Sequence, residues 1–137
     1  MTDFYFSVFL PDAEQGGYTV LFPNFKECVA EGDTLEECMR NAGESLADVL
    51  QNYVDTGRPL PENCTYEEAL AFAADVCARD GSSAEGALVQ LIASPNFDRT
   101  PVRLSVSMPR CAVAALDRKA KMAGMTRSGY IAALAMA

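Results

Sequence analysis

The 137-residue chain contains no histidine and no tryptophan. Without histidine it lacks the commonest general base near neutral pH and the commonest metal ligand, so enzyme readings lose ground from the start. Its five cysteines, Cys28, Cys38, Cys64, Cys77 and Cys111, form no C-x-x-C pair. The odd count argues against a complete disulfide framework and for reduced thiols that behave as small buried hydrophobes. No uncharged apolar run of about 18 residues occurs, so no membrane span is expected. The opening MTDFYF has neither the basic nor the apolar region of a signal peptide, and the expected compartment is the cytoplasm.

Half of the residues are apolar, enough for one compact domain of about 100 residues and a small appendage. FYFSVFLP, residues 4–11, is rich in aromatic and β-branched side chains and ends at a Pro-Asp turn signal, so it reads as a strand. GGYTVLFP follows after a short polar loop, and KECVAE, residues 26–31, is a third strand ended by Gly32. The three make a meander. Thr34 and Glu37 have the spacing of a capping box, and Leu35, Cys38, Met39, Ala42, Leu46, Val49, Leu50 and Tyr53 recur at steps of three and four. That periodicity predicts a long helix with one face on the meander. Thr65 and Glu68 repeat the capping box ahead of a shorter helix, with Leu70, Phe72, Ala73 and Val76 as its apolar positions. GALVQLIA, residues 86–93, is a continuous apolar run of strand length and predicts a fourth strand buried in the sheet. SPNFDRTP then carries two prolines and no periodicity, as a linker does.

Charge divides the chain in two. Residues 1–100 carry five basic and 18 acidic side chains, a balance of −13, whereas residues 101–137 carry six basic side chains against Asp117 alone, a balance of +5. A basic tail suits an anion such as nucleic acid, and an acidic body suits a basic partner.

In the tail, PVRLSVSMP alternates Val102, Leu104, Val106 and Met108 with Arg103, Ser105 and Ser107. Pro109 suits the first turn of a helix that Gly124 stops, and Thr126 caps a second helix bearing Ile131 and Leu134. So small a unit cannot bury enough apolar surface alone, and a lone strand leaves its amides and carbonyls unpaired. Antiparallel pairing with the same strand of a second chain solves both problems. The resulting two-stranded ribbon fits the major groove of B-form DNA. Order and residue types resemble the ribbon-helix-helix DNA-binding domain. The resemblance implies that Arg103, Ser105 and Ser107 read bases, and that Thr126, Arg127 and Ser128 offer amides, hydroxyls and a cation to a backbone phosphate.

The stretch YTVLFPNFKECVAEGDTLEECMRNAGESL is similar to the N-terminal domain of HicB antitoxins, in which a tyrosine-bearing strand is followed by F-P-[DN]-F, a small strand, G-D-T and a long helix. Here Phe22, Pro23, Asn24, Phe25, Cys28, Glu31, Gly32, Asp33, Thr34, Glu36 and Glu37 carry the pattern. Asn24 stands where aspartate is common, and Glu27 where glycine is. The resemblance implies an α+β chain: a partial RNase H-like β-β-β-α-β domain over residues 1–94, a linker at 95–100, and a ribbon-helix-helix (β-α-α) domain over 101–137. It further implies a HicA-like mRNA-cleaving toxin as partner, autorepression at operator DNA, and a homodimer or higher even oligomer through the C-terminal domain. Tyr18, Phe22, Glu31 and Asp33 are the candidate toxin contacts.

Catalysis is not expected. A magnesium nuclease needs carboxylates converging on two ions about 3.5–4 Å apart. Asp3, Asp12, Glu14, Glu31, Asp33 and Glu44 are available, yet none occupies the middle of a central strand, where the first strand has Ser7. No cofactor or metal is expected either. A different class of function, a ligand-responsive ribbon-helix-helix repressor without a toxin partner, is the alternative.

Overall fold

A computed structural model describes residues 3–95 and 97–137. The chain divides into two compact units, with the division after Asp98. The first unit contains strands β1 (Phe4–Pro11), β2 (Tyr18–Phe22) and β3 (Phe25–Gly32), helices α1 (Leu35–Asp55) and α2 (Tyr66–Asp80), and strand β4 (Leu88–Ala93). All strand pairs are antiparallel, and the order across the sheet is β3-β2-β1-β4.

The alternation of β1 sends its side chains to two different cores. Tyr5 and Phe9 join Val20, Phe22, Phe25, Cys28 and Ile92 beneath α1, whose Cys38, Ala42, Leu46 and Leu50 are fully buried. Val8 points the other way and meets Ala69 and Ala73 of α2, with Phe6, Leu10, Leu21 and Val89 around them. The helical stripe of α1 is therefore the predicted one, except that Leu35 and Met39 in its first turns remain 43% and 41% exposed. In α2 the buried stripe is Ala69, Ala73 and Cys77, at steps of four, while Leu70 is exposed. Small residues let this helix approach the sheet closely.

The expectation of a buried fourth strand is corrected in one respect. β4 forms at residues 88–93 but lies at the edge, where among the described residues it pairs with β1 alone. Its apolar run arises because each face of the strand has a helix nearby: Leu88 and Ile92 face the α1 core, and Val89 faces the α2 core. A run without alternation reports two covered faces, and it carries no information about how many strands flank the edges.

Both N-caps form, to different extents: Thr34 accepts a hydrogen bond from the Glu37 amide at 3.1 Å, one arm of the expected box, and Thr65 and Glu68 make the reciprocal pair of a full capping box. The loop between α1 and α2 is tied to the sheet by polar contacts. The Tyr5 hydroxyl donates to the Pro61 carbonyl at 2.6 Å, the Phe6 amide donates to Asn63 Oδ1 at 2.8 Å, and the Asn24 side chain both donates to the Glu62 carbonyl at 2.9 Å and accepts from the Cys64 amide at 3.0 Å.

The second unit contains α3 (Arg110–Met122) and α4 (Arg127–Met136). Gly124, at φ 68°, turns the chain between them, and the Met125 amide returns to the Ala120 carbonyl at 2.9 Å. Residues 101–109 belong to no helix or strand of the single chain. Among the described residues no helix is long and apolar enough to cross a membrane.

Candidate functional site

Two surfaces have the composition to bind a partner, one in each unit. In the first, the β1–β2 turn comes against the junction of β3 and α1. Asp12 organises that turn, its Oδ1 accepting from the amides of Glu14 and Gln15 at 2.9 and 3.1 Å. Gly17 follows at φ 74°, and a Cβ there would overlap the carbonyl oxygen of Gly32. Gly32 is equally constrained, since its own Cβ would stand 2.9 Å from Cys38 Sγ. Two glycines thus let the turn and the junction touch. The Asn41 side chain holds the same junction from α1 by donating to the Glu31 carbonyl at 2.8 Å.

The result is an acidic cleft of about 370 Å³ lined by Asp12, Tyr18, Glu31, Asp33, Glu37 and Asn41, among others. No salt bridge among the described residues engages its four carboxylates. Nor does any group of side chains among the described residues have the arrangement to hold a metal ion. Such a cleft suits lysine or arginine side chains of a partner.

Of the four candidate contacts, Tyr18, Glu31 and Asp33 come together here. Phe22 does not. It is 1% exposed, in the core beneath α1, and its place among the contacts is corrected: at the irregular end of the β2–β3 ladder its side chain turns inward. Asp12, Glu37 and Asn41 were missed by the sequence reading, because only the glycine-dependent approach of turn and junction brings them to Tyr18. The Gly16-Gly17 pair was the available signal.

In the second unit the side chains of Val102, Leu104, Val106 and Met108 face Val113, Leu116 and Ile131 across an open groove of about 540 Å³. Leu104 is 79% exposed, so a large apolar face lies in solvent when one chain is alone. Arg103, Ser105 and Ser107 alternate with the groove residues and are exposed as well. Thr126 caps α4, accepting from the Gly129 amide at 3.0 Å. Arg127 is engaged within the unit: its Nε and an Nη donate to the two carboxylate oxygens of Asp117 at 2.7 and 2.9 Å. That bidentate pair holds the Asp117 carboxyl below its ordinary pKa and raises that of Arg127. Ser128 borders the groove.

Comparison with known proteins covers nearly the whole chain. Residues 6–135 match the family model described as HicB_like antitoxin of bacterial toxin-antitoxin system. Over 56 residues the chain is 34% identical to Antitoxin HicB 1 of Photorhabdus laumondii, a match that covers 41% of this chain and 36% of that protein. The chain thus matches about a third of the length of that curated relative. Among solved structures, a toxin-antitoxin complex from Streptococcus pneumoniae aligns with a TM-score of 0.58 at 16% identity, covering 99% of this chain and 98% of that one. The antitoxin HicB of Burkholderia pseudomallei aligns with a TM-score of 0.53 at 22% identity, covering 99% and 95%. At these identities the two structures share a mixed α+β fold with this chain.

Proposed function

Since the chain belongs to the HicB-like antitoxin family of bacterial toxin-antitoxin systems, we propose that its first unit neutralises a HicA-like ribonuclease and that its second binds the operator of its own operon. The observation that carries the division of labour is the charge split, −13 over residues 1–100 and +5 over residues 101–137. A ribonuclease needs a basic surface to hold RNA, and an acidic cover on that surface excludes the substrate by occupying its phosphate sites. The cleft formed by Asp12, Tyr18, Glu31, Asp33 and Glu37 is the assigned docking point, on a body of partial RNase H-like topology at residues 1–94. The antitoxin itself performs no catalysis and works in the cytoplasm, where its toxin meets mRNA.

Residues 101–137 act as a ribbon-helix-helix after a linker at 95–100. Two copies of the segment 101–109 pair antiparallel, which covers Val102, Leu104, Val106 and Met108 and projects two sets of Arg103, Ser105 and Ser107 into the major groove. The exposed apolar groove supports this reading, because pairing supplies both the missing ladder and the missing cover. The capped start of α4 at Thr126 and Ser128 meets a backbone phosphate. Arg127 positions that start through Asp117, and a phosphate must displace the carboxylate to engage it.

The test is recovery of the tagged full-length chain from its native cell. A small basic protein that copurifies, silent in the complex and RNA-cleaving once separated, is the expected result. Recovery of the chain with its promoter DNA and no such partner overturns the toxin half and favours a ligand-responsive repressor.

A further inference from the structure

We infer the symmetry and spacing of the DNA site that the segment 101–109 reads: a two-fold symmetric site with one G·C pair on each side of its axis, about four base-pair steps apart, and a centre that tolerates any base pair. The site rests on the ribbon-helix-helix reading of residues 101–137 and on the register in which two such segments pair.

Prolines and parity fix that register. Val102, Leu104, Val106 and Met108 all line the groove against α3 and α4, and none of Arg103, Ser105 and Ser107 does. Two-fold pairing has to keep the even-numbered side chains of both chains on that one face. Each residue then meets one of the same parity, and the axis passes between one residue and its own copy. With the axis at Leu104, Pro101 falls opposite Ser107 and Met108 falls opposite Thr100, beyond the proline. With the axis at Val106, Val102 falls opposite Arg110, which is already the first residue of α3. With the axis at Ser105, Pro101 meets Pro109, so residues that cannot donate to a ladder close it at both ends. Val102 then meets Met108 and Leu104 meets Val106. This register covers all four apolar side chains, which are 46–79% exposed in the single chain.

The polar face follows from the same register. Ser105 and its copy sit on the axis, and each Arg103 stands beside Ser107 of the second chain. The two arginines are separated by four residues along the ribbon, about 14 Å at about 3.4 Å per residue. Base pairs also advance about 3.4 Å per step, so the guanidinium groups reach pairs about four steps apart. Arginine has a preferred base, because its fork matches O6 and N7 of guanine, whereas a serine hydroxyl both donates and accepts and takes any pair. Specificity is therefore concentrated at the two G·C pairs and is low between them.

The test selects duplexes from a random library with the full chain and probes the selected site by methylation of guanine N7. A two-fold symmetric motif with G·C pairs about four steps apart is expected, with binding blocked by methylation of either guanine. Replacing one of these pairs by A·T should cost about 5- to 150-fold in affinity, and replacing a central pair far less. Arg103 is exposed, so Arg103→Ala leaves the core intact; it should erase both the G·C preference and the effect of methylation. No enrichment, an asymmetric motif, a spacing of two steps or fewer or of six or more, or a G·C preference that survives Arg103→Ala overturns the inference. Leu104→Glu, also at an exposed position, separates the two levels of failure. If that variant binds DNA as well as wild type, the ribbon reading falls together with the inference. If it loses binding while the selected spacing differs from four steps in the way stated, the ribbon stands and the register is wrong.

Discussion

Arg103 and Asn24 represent two kinds of residue, one free at the surface and one fully used inside its unit. Arg103 is exposed on the polar side of the extended segment. Its replacement by alanine is expected to weaken specific operator binding by about 1–3 kcal/mol in a titration of labelled DNA, with toxin binding unchanged. Asn24 is the opposite case, since its amide accepts from Cys64 and donates to Glu62, so one side chain pins the loop between α1 and α2. Losing two hydrogen bonds of ordinary strength costs about 1–3 kcal/mol, and Asn24→Ala is expected to show that loss in urea unfolding. An aspartate here would keep the bond from Cys64 and lose the donor to Glu62. The cysteines give a third expectation. Burial, with Glu27 and Asp48 nearby, pushes the Cys28 thiol up to about 12, and burial raises Cys38 and Cys64 as well. A thiol with a raised folded pKa contributes stability that is intact below the unfolded value and is lost as pH rises through the folded one. Unfolding free energy should therefore fall between about pH 9 and pH 12. In native protein at neutral pH only the exposed Cys111 should react rapidly with a thiol reagent, and mass spectrometry of the labelled protein checks it.

At the scale of elements, the pair of Asp117 on α3 and Arg127 on α4 is the clearest constraint in the second unit. Both groups are exposed, so the pair contributes little to stability and acts chiefly by fixing the Arg127 fork. Asp117→Asn is expected to free a cation at the start of α4 and to steepen the salt dependence of operator binding by about one unit in log K against log salt. An unchanged slope would mean that Arg127 stays away from phosphate. How far such elements were legible in the sequence follows from what each signal encodes. Periodicity located α1 because its stripe faces a single core, and the Thr-x-x-Glu spacings located both helix starts. It misread α2, where Leu70 looks like core and is exposed while Ala69 and Cys77 carry the packing. Hydrophobicity ranks side chains by size, whereas a helix lying close on a sheet selects small ones. The cleft was half legible for a related reason: Tyr18, Glu31 and Asp33 lie in or beside one hairpin, but Asp12 and Glu37 reach them only through backbone contact at Gly17 and Gly32.

At the scale of the whole molecule, the two units oppose one another electrically when DNA is the ligand. The tail is drawn to phosphate, and the body, tethered a few residues away, is repelled by it. Each unit's charge is felt by a polyanion within a Debye length, about 10 Å at 0.1 M salt, and further in dilute buffer. A basic toxin bound on the acidic body cancels part of that repulsion without touching the tail. The complex is therefore expected to bind operator DNA more tightly than the antitoxin alone at low ionic strength. The gap should close as salt rises, because screening removes the body's repulsion in the free antitoxin while counterion release weakens the tail's contacts in both. Fluorescence anisotropy across a salt series, with and without toxin, measures it directly. Reversing Glu31 and Asp33 to lysine supplies the control: that variant should lose toxin affinity and yet bind DNA more tightly than wild type on its own. A complex whose DNA affinity equals that of the free antitoxin at every salt concentration would show that the body's charge does not reach the DNA.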